Sequence, residues 1–501
     1  MSDSTFQMIA IVIYMAAMLG IGYIAYKRTN DIDDYMLAGR GLKPSVAALS
    51  AGASDMSGWL LMGLPGAVYL GGMHAAWIAI GLIIGAWLNW KFVAPRLRSY
   101  TAIAQEAITI PSYFEKRLKD RSHLLRITSS LVILAFFTFY VSSGMVAAGK
   151  FFESTFAWPY LSGLFFVAGI TLLYTLFGGF LGASLTDMVQ GILMFAALIA
   201  VPVVAAFRVG DISTLGQRIT DANPIAFDLF SSFHDANAFL AIVAIFSTAA
   251  WGFGYFGQPH ILVRFMALRT PGEAKTARRI GIGWMFLTTV GAVVTALVGI
   301  AYFADKPLDK SSSETVFLLL SQVFFHPFVA GLVLAAVLAA IMSTMSSQLV
   351  VCSSALVEDL YNIAGRKASQ KTLVLMGRAC VLIIAIIAAL LALDSSSSIL
   401  KLVSFAWAGF GAAFGPIVLL SLYWRKLSAV GAFAGMLTGA VVVFVWGNIP
   451  ALSGAMYEIV PGFALNLLVT WLVSKATWRE NATIDEEFSA MEREVNGSVR
   501  V

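Results

Sequence analysis

The chain has 501 residues, of which 59% are hydrophobic and only 12% are charged, and its mean hydropathy is +0.82. Soluble domains carry about 25% charged residues, so this composition excludes a soluble globular protein and indicates a polytopic membrane protein. Basic residues at the membrane surface, in contact with anionic lipid, explain the net charge of +5, so nucleic acid is not an expected partner.

Apolar stretches of about 20 residues recur along the whole chain, and each is long enough to cross a hydrocarbon core of about 30 Å. We predict an all-α protein with thirteen transmembrane helices, at 6–26, 44–70, 73–95, 124–148, 159–178, 185–207, 237–262, 280–304, 320–350, 374–393, 399–423, 428–447 and 456–474. Residues 1–474 are thus expected to form a single transmembrane domain, followed by a short cytoplasmic tail at 475–501 with a weakly amphipathic, turn-rich stretch.

The distribution of basic residues predicts the orientation in the membrane. An odd number of spans places the two termini on opposite sides. With the N-terminus outside, 27 of the 33 Lys and Arg residues lie on the inner side. Because inner loops are enriched in Lys and Arg, we expect an outer N-terminus and a cytoplasmic C-terminus.

The second span is interrupted near its middle by the small and polar residues of 50–58, which include Asp55. A charge inside the membrane costs several kcal/mol and usually marks a functional site. Glycines and hydroxyl side chains around Asp55 also favour local unwinding, and secondary transporters hold ions and substrates at such breaks. Asp55 is therefore predicted to act in cation binding. The alternatives are a structural carboxylate that accepts backbone N–H bonds, or a protonated one.

A second interruption lies five spans further on, at 246–260, where three glycines and Pro259 break the helix. Breaks at matching positions of two five-helix halves predict an inverted repeat with the site at its interface. Spans 2–6 (about 44–207) and 7–11 (about 237–423) would be the repeats. One extra helix precedes them and two follow.

Oxygen atoms near the first break could bind sodium, since hard cations take oxygen ligands. Unwinding would free the carbonyls of Ala53 and Met56. In span 9, Ser343 and Thr344 could add hydroxyls and Ala340 a carbonyl left over near a helix end. The alternative is that these hydroxyls bond to their own helix or to a neighbouring one.

Aromatic side chains near the breaks are candidates for solute binding. Trp251 and Tyr255 are four residues apart in the second break, and Tyr140 ends an aromatic run in span 4. A small apolar ring could stack there, although such aromatic stripes also occur in cores and against lipid. Arg40 is predicted to be a positive-inside anchor. Asp187 opens span 6, where it could have a functional role or could equally be the N-cap of that span.

Five longer runs carry a resemblance to a known family, at 34–40, 48–67, 251–262, 340–344 and 404–416. On these runs the chain resembles the solute:sodium symporters from span 1 through span 13. A further signature lies at 178–190, where Leu185 stands at a position that is often Trp in close relatives.

The resemblance implies a LeuT-like core, preceded by one extra helix, that takes up sodium and L-proline together by alternating access. It implies one sodium ion held by Ala53, Met56, Ala340, Ser343 and Thr344, with Asp55 needed for coupling. It places the solute near Ser57, Gly58, Tyr140, Trp251, Tyr255 and Pro259, and assigns Arg40 and Asp187 to coupling or gating.

The protein is accordingly expected to act as a monomer in the lipid of a bacterial inner membrane and to need no cofactor other than the transported Na⁺. The nearest alternative is a sodium symporter of the same family that takes another small organic solute. A membrane sensor on the same fold would need a signalling domain, for which the 27-residue tail offers no room. An enzyme is not expected, because no cluster of buried His, Cys and acidic residues is found.

Overall fold

The computed structural model describes residues 2–28, 37–235, 237–361, 363 and 369–499. Within these ranges the protein is almost entirely helical, with one isolated β-bridge between Leu42 and Leu268. The α-helices of eight or more residues are α1 (Asp3–Arg28), α2 (Pro44–Asp55), α3 (Leu64–Gly71), α4 (Trp77–Leu88), α5 (Ala94–Ile103), α6 (Ile110–Leu118), α7 (Leu124–Phe156), α8 (Tyr160–Val209), α9 (Ile212–Ala222), α10 (Ala238–Ala249), α11 (Pro259–Met266), α12 (Ala274–Tyr302), α13 (Val316–Phe324), α14 (Pro327–Ser354), α15 (Gln370–Leu391), α16 (Ile399–Tyr423), α17 (Ala429–Asn448), α18 (Ile459–Thr477) and α19 (Ala482–Val499).

The prediction of an all-α polytopic membrane protein is confirmed. Among the described residues, eleven helical segments are long and apolar enough to cross a membrane. The segment Tyr160–Leu176 is apolar but shorter, and α2 has only 12 residues because it ends at the first break. The count of thirteen spans is therefore not confirmed by length and composition.

A bend inside α8 changes the expected place of Asp187. Gly179 has φ 55° and ψ −155°, a conformation that favours glycine, and it separates two helical stretches. These stretches match the fifth and sixth predicted spans. The second stretch begins at this bend, so Asp187 lies well inside it, and the alternative that Asp187 is an N-cap is wrong.

The ninth predicted span, 320–350, is also corrected. It contains the end of α13 and most of α14, separated by an extended Phe325 (φ −111°, ψ 152°) and by His326, the N-cap of α14. Pro327 causes this boundary, because proline disfavours a helical residue before it and is itself suited to the first helical position.

Within the tail, residues 482–499 form one continuous helix, α19, rather than a turn-rich stretch. Phe488 and Met491 are buried on the face that packs against the rest of the protein. Three glutamates of α19 accept from groups of α5 and of two loops, in the pairs Ser99–Glu494, Lys119–Glu487 and Arg425–Glu492. The last helix therefore docks on the side that carries the predicted inner loops.

The two interrupted helices lie in the interior of the molecule. Helix α2 packs against α8, α11, α12 and α14, and a 3₁₀ segment, Ala250–Gly257, packs between α4 and α16. This segment approaches α4 closely: a Cβ on Gly85 would stand 2.2 Å from the carbonyl oxygen of Gly252. Because the residues on both sides are small, the second break can lie directly against α4.

Candidate ion and solute site

The first break is a tight turn that ends α2 at Asp55. The Ser57 amide turns back and donates to the Asp55 carbonyl at 2.9 Å. The same oxygen also accepts from Trp59 Nε1 at 3.0 Å and from the Tyr140 hydroxyl at 3.4 Å. A π-helical turn, Trp59–Gly63, then leads into α3. Three donors therefore hold this turn in place.

The turn leaves the Ala53 carbonyl without its usual helical amide, because the Ser57 amide is used elsewhere. Ser343 Oγ of α14 donates to this carbonyl at 2.7 Å. The Ala340 carbonyl lies 3.1 Å from Ser343 Oγ and 3.2 Å from Thr344 Oγ1. The structure thus brings four of the five predicted sodium-binding residues together, and Met56, which is also buried, lies in the adjoining turn.

These four oxygens are neutral and lie deep in the protein, which is the donor chemistry that an alkali cation prefers. Around an ion with metal–oxygen distances of about 2.3–2.6 Å, oxygens at right angles stand roughly 3.3–3.7 Å apart. The observed separations of 2.7–3.2 Å are shorter because hydroxyl hydrogens bridge the oxygens. Binding an ion would therefore turn these hydrogens aside and widen the cluster by several tenths of an ångström.

The carboxylate of Asp55 bonds across to the second broken helix. Its Oδ2 accepts from the Tyr255 hydroxyl, while Oδ1 has no hydrogen-bond partner among the described residues. Asp55 lines a cavity of about 20 Å³ together with Trp90, Tyr255 and Met285, a volume that holds about one water molecule. The carboxylate therefore joins the two breaks next to the oxygen cluster.

The second break is a 3₁₀ segment that ends at an extended Gln258, after which α11 begins with Pro259. Side chains from other helices donate hydrogen bonds to its backbone carbonyls. Asn89 Nδ2 donates to the Tyr255 carbonyl at 2.8 Å, and Trp407 Nε1 donates to the Trp251 carbonyl at 2.7 Å. Neither Asn89 nor Trp407 was identified from the sequence.

The predicted solute-binding aromatics meet at this junction. The Trp251 ring stacks on Tyr457 with centroids 5.5 Å apart and lies 6.2 Å from the Trp59 ring. Tyr255 packs edge-on against Trp407 at 5.1 Å. Trp59 and Tyr457, which were not predicted as site residues, belong to the same aromatic cluster.

The remaining predicted solute residues are divided between two places. Ser57 is buried in the first break, and Gly58 packs so closely on α7 that a Cβ there would stand 2.9 Å from Ala147 Cβ. Pro259 instead lines a separate cavity with Phe180 and Val350. Pro259 is thus the predicted solute residue that borders this other cavity.

Arg40 is partly buried and connects several elements of the structure. Its side chain is 13% exposed and pairs with Glu106 at 3.0 Å. It also donates to Thr101 Oγ1 at 3.1 Å, to the Ala107 carbonyl at 2.8 Å and to the Met266 carbonyl at 3.3 Å. Arg40 thus ties the start of α2 to the ends of α5 and α11.

Asp187 takes part in a fully buried ion pair with Arg264, at 3.0 Å. The same carboxylate oxygen accepts from Ser50 at 2.8 Å and from Ser347 at 3.3 Å. Arg264 also donates to both serines, at 3.1 and 2.7 Å. This network connects both broken helices with α8 and α14. Arg264 was not predicted from the sequence, although a basic residue within an apolar helix is itself a signal.

Two broken helices that meet at a cluster of buried oxygens and aromatic rings define a secondary transporter. The Sodium:solute symporter family matches residues 35–439, and the chain belongs to this family. It is therefore a transporter and not an enzyme.

Two relatives are similar over nearly their whole length. The chain is 53% identical over 473 residues to the high-affinity proline transporter PutP of Bacillus subtilis, covering 94% of this chain and 98% of that protein. It is 49% identical over 484 residues to the sodium/proline symporter of Escherichia coli, covering 95% of each.

A solved structure of a Na⁺-coupled sialic acid symporter, in a substrate-bound outward-open state, is similar with a TM-score of 0.78. The superposition covers 94% of this chain and 98% of the sialic acid symporter chain, and the two sequences are 19% identical. At that identity the likeness concerns the fold alone, and it confirms the predicted LeuT-like architecture.

Proposed function

We propose that this protein takes up L-proline together with Na⁺ by alternating access. The names of the two relatives support this solute and this ion, and membership of the family supports sodium coupling. The observation that carries the proposal for this chain is the contact between Ser343 and the Ala53 carbonyl. It places hydroxyls of α14 on the break of α2, beside an acid that bonds to the other break.

Sodium would bind the oxygens of Ala53, Met56, Ala340, Ser343 and Thr344. The 2.7 Å contact between Ser343 Oγ and the Ala53 carbonyl supports this set. An ion bound to both oxygens, in place of the hydrogen bond between them, would hold α14 and the break together more strongly. Asp55 would supply a negative charge close to the ion. Its bond to Tyr255 would pass the effect of ion binding to the solute site.

Proline would bind between the two breaks, on the rings of Tyr140, Trp251 and Tyr255. A small saturated ring suits an aromatic cluster, and the backbone groups around Ser57 and Gly58 would hold its polar ends. The Tyr140 hydroxyl and the Trp59 indole already bond to the first break. The solute would therefore contact elements that also respond to sodium. Pro259 would line the path on the inner side of this site.

Arg40 and Asp187 would act in coupling or gating, because each connects a broken helix to its surroundings. Inward movement of one charge gains about 2.3 kcal/mol per 100 mV. A tenfold sodium gradient adds roughly 1.4 kcal/mol. At one ion per solute, about 3.7 kcal/mol would sustain accumulation on the order of 500-fold.

The orientation and setting are part of the same proposal. The excess of basic residues in the predicted inner loops supports an outer N-terminus and a cytoplasmic C-terminus. The bacterial relatives support an inner membrane as the location. We propose that the working unit is a monomer surrounded by lipid, because both breaks and their contacts lie within one chain.

Uptake of labelled proline into proteoliposomes tests the proposal, with an inward sodium gradient and with potassium in its place. We expect sodium-dependent accumulation that unlabelled proline abolishes and alanine does not. Thermal stabilisation by sodium without proline uptake would keep the ion site and reject the solute. No response to sodium in either measurement would reject the ion site as well.

A further inference from the structure

A second small cavity, of about 20 Å³, lies beyond the solute site. It is bounded by α7, α8, α11 and α14, and residues 108–111, which include the start of α6, cover it. The residues that matter for its interpretation are Thr109, Phe180, Pro259, Val350, Ser354 and Asp359. Pro259 is the residue through which this cavity adjoins the second break.

The cavity lies on the predicted inner side of the ion site. Val350 is six residues past Thr344 on α14, which corresponds to about 9 Å along the helix axis. Pro259 and Val263 both line the cavity and are about one turn apart on α11, so the cavity follows α11 away from the break. The cover at 108–111 belongs to the longest predicted inner loop.

A buried cluster of charges holds this cover closed. Thr109 Oγ1 donates to Asp359 Oδ1 at 2.8 Å, and Arg126 Nε donates to the same oxygen at 2.9 Å. Arg126 also donates to the Glu358 carbonyl at 2.8 Å and pairs with Glu115 at 3.4 Å. Asp359 is fully buried in a π-helical segment, Ala355–Tyr361, that continues α14, the helix with the predicted sodium ligands.

The other end of the same loop is attached to the first broken helix. Arg40 donates to the Ala107 carbonyl at 2.8 Å and pairs with Glu106 at 3.0 Å. Gln105 and Glu106 both have positive φ, of 54° and 51°. Such angles are unfavourable for residues with side chains. The loop therefore depends on its contacts at both ends to keep this shape.

We propose that this cavity is the inner end of the solute path, that residues 104–111 are the lid that closes it, and that Asp359 is the positioning residue that latches the lid. The inference rests on the proposed function and orientation. Through Arg40 the lid joins the broken helix α2, and through Asp359 it joins the π-helical continuation of α14, which Arg126 connects to α7. A shift of α2 against α14 when sodium leaves would pull on the Thr109–Asp359 bond and open the cavity to the cytoplasm.

Thiol labelling from the cytoplasmic side tests the lid without relying on transport. A cysteine at Ser354→Cys reports access to the cavity, in a background where Cys352 and Cys380 are replaced by Ser. Inside-out vesicles are treated with a membrane-impermeant maleimide. Thr109→Val removes the hydroxyl at nearly constant volume, and we expect labelling to become about tenfold faster, because a bond to a charged group is lost.

Three controls separate a latch from a general loss of structure. Thr109→Ser keeps the hydroxyl and should label at the parent rate. Ser112→Ala weakens the reciprocal cap of α6, in which Ser112 Oγ accepts from the Thr109 amide at 3.1 Å, yet leaves Asp359 untouched and should also label slowly. Right-side-out vesicles should show no increase, whereas partial unfolding would raise labelling from both sides.

Asp359→Asn provides a second variant, and it should label at least as fast as Thr109→Val. Parent-like labelling of both variants, or equal acceleration by Ser112→Ala, would overturn the latch. The proposed function fails in a different way, by absence of sodium-dependent proline uptake in the unsubstituted protein. The two failures are therefore distinguishable.

Discussion

The Ser343 hydroxyl contacts carbonyls of two different helices, at 2.7 Å to Ala53 and 3.1 Å to Ala340. Losing this hydroxyl removes one ion ligand and the bridge to the break. We expect Ser343→Ala and Thr344→Ala each to raise the sodium concentration for half-maximal uptake by roughly tenfold, about 1.4 kcal/mol. The KM for proline at saturating sodium should change much less. Initial rates across a sodium series measure both quantities.

Thr295→Ala is the matched control for this experiment. Thr295 is also fully buried, and its hydroxyl likewise bonds to the carbonyl four residues earlier, at 2.7 Å to Gly291. It lies in α12, away from the oxygen cluster. An equal loss of sodium response in Thr295→Ala, or unchanged sodium dependence in Ser343→Ala, would contradict the assignment.

The Asp187–Arg264 pair makes a prediction about stability. Both side chains are fully buried, and removing one partner of such a pair typically costs about 3–5 kcal/mol because the other charge is left uncompensated. We expect Asp187→Asn to lower the melting temperature of the purified protein clearly. The double variant Asp187→Asn, Arg264→Met should recover part of the loss.

Thermal unfolding in detergent, followed by size-exclusion fluorescence, measures this effect. Asp305→Asn, at an exposed acid in a predicted outer loop, serves as the control and should leave the melting temperature nearly unchanged. If the double variant is no more stable than Asp187→Asn, the two charges do not compensate each other as the geometry indicates.

The candidate site was predictable where each residue carries a local signal. Asp55 and Ser343 are 288 positions apart, yet each lies at a polar interruption of an apolar span, so both were identified. Asn89 and Trp407 were missed because an amide or an indole in a membrane helix has many ordinary roles. Their importance comes only from the distant carbonyls that they contact, in the second break.

Helices were predicted reliably as elements, but their ends were not. The break at Asp55 follows from a cluster of small and polar residues, whereas the bend at Gly179 depends on a single φ of 55° that hydropathy does not reveal. The separation of α13 from α14 could have been read from Pro327. The tail helix was missed because the periodicity of its apolar residues is weak. Its stability comes instead from docking on distant loops.

Docking of α19 can be tested through its central side chain. Phe488 is buried between the Tyr100 ring, 6.2 Å away, and the guanidinium groups of Arg117 and Arg425, at 5.5 and 5.0 Å. Truncating a buried phenylalanine typically costs about 3–5 kcal/mol. Because the stability of a helix in a protein comes mostly from the packing of its apolar face, we expect Phe488→Ala to release α19 and expose it.

Hydrogen exchange of peptides from 482–499 measures the release, which should appear as faster exchange confined to the tail. Glu486→Ala changes an exposed residue of the same helix and should leave the exchange pattern unchanged. Parent-like exchange in Phe488→Ala would show that the three glutamate contacts alone hold the helix.

At the scale of the whole molecule, the two breaks are joined by direct contacts, so their ligands should be coupled. Asp55 is the last residue of α2 and bonds to Tyr255, while Ala53, two positions earlier, accepts from Ser343. An ion on Ser343 and a solute on Tyr255 would therefore act on the same turn. Coupling between two binding sites must be reciprocal at equilibrium.

We therefore expect sodium to lower the Kd for proline and proline to lower the Kd for sodium by the same factor, about 5- to 150-fold for typical couplings. Binding of labelled proline across a sodium series gives the first ratio. Tryptophan fluorescence, with Trp59 and Trp251 at the site, gives the second from sodium titrations with and without proline. Ser343→Ala should reduce both ratios together. Unequal ratios in the parent would mean that one ligand binds outside this junction, since a shared turn cannot transmit an effect in one direction only.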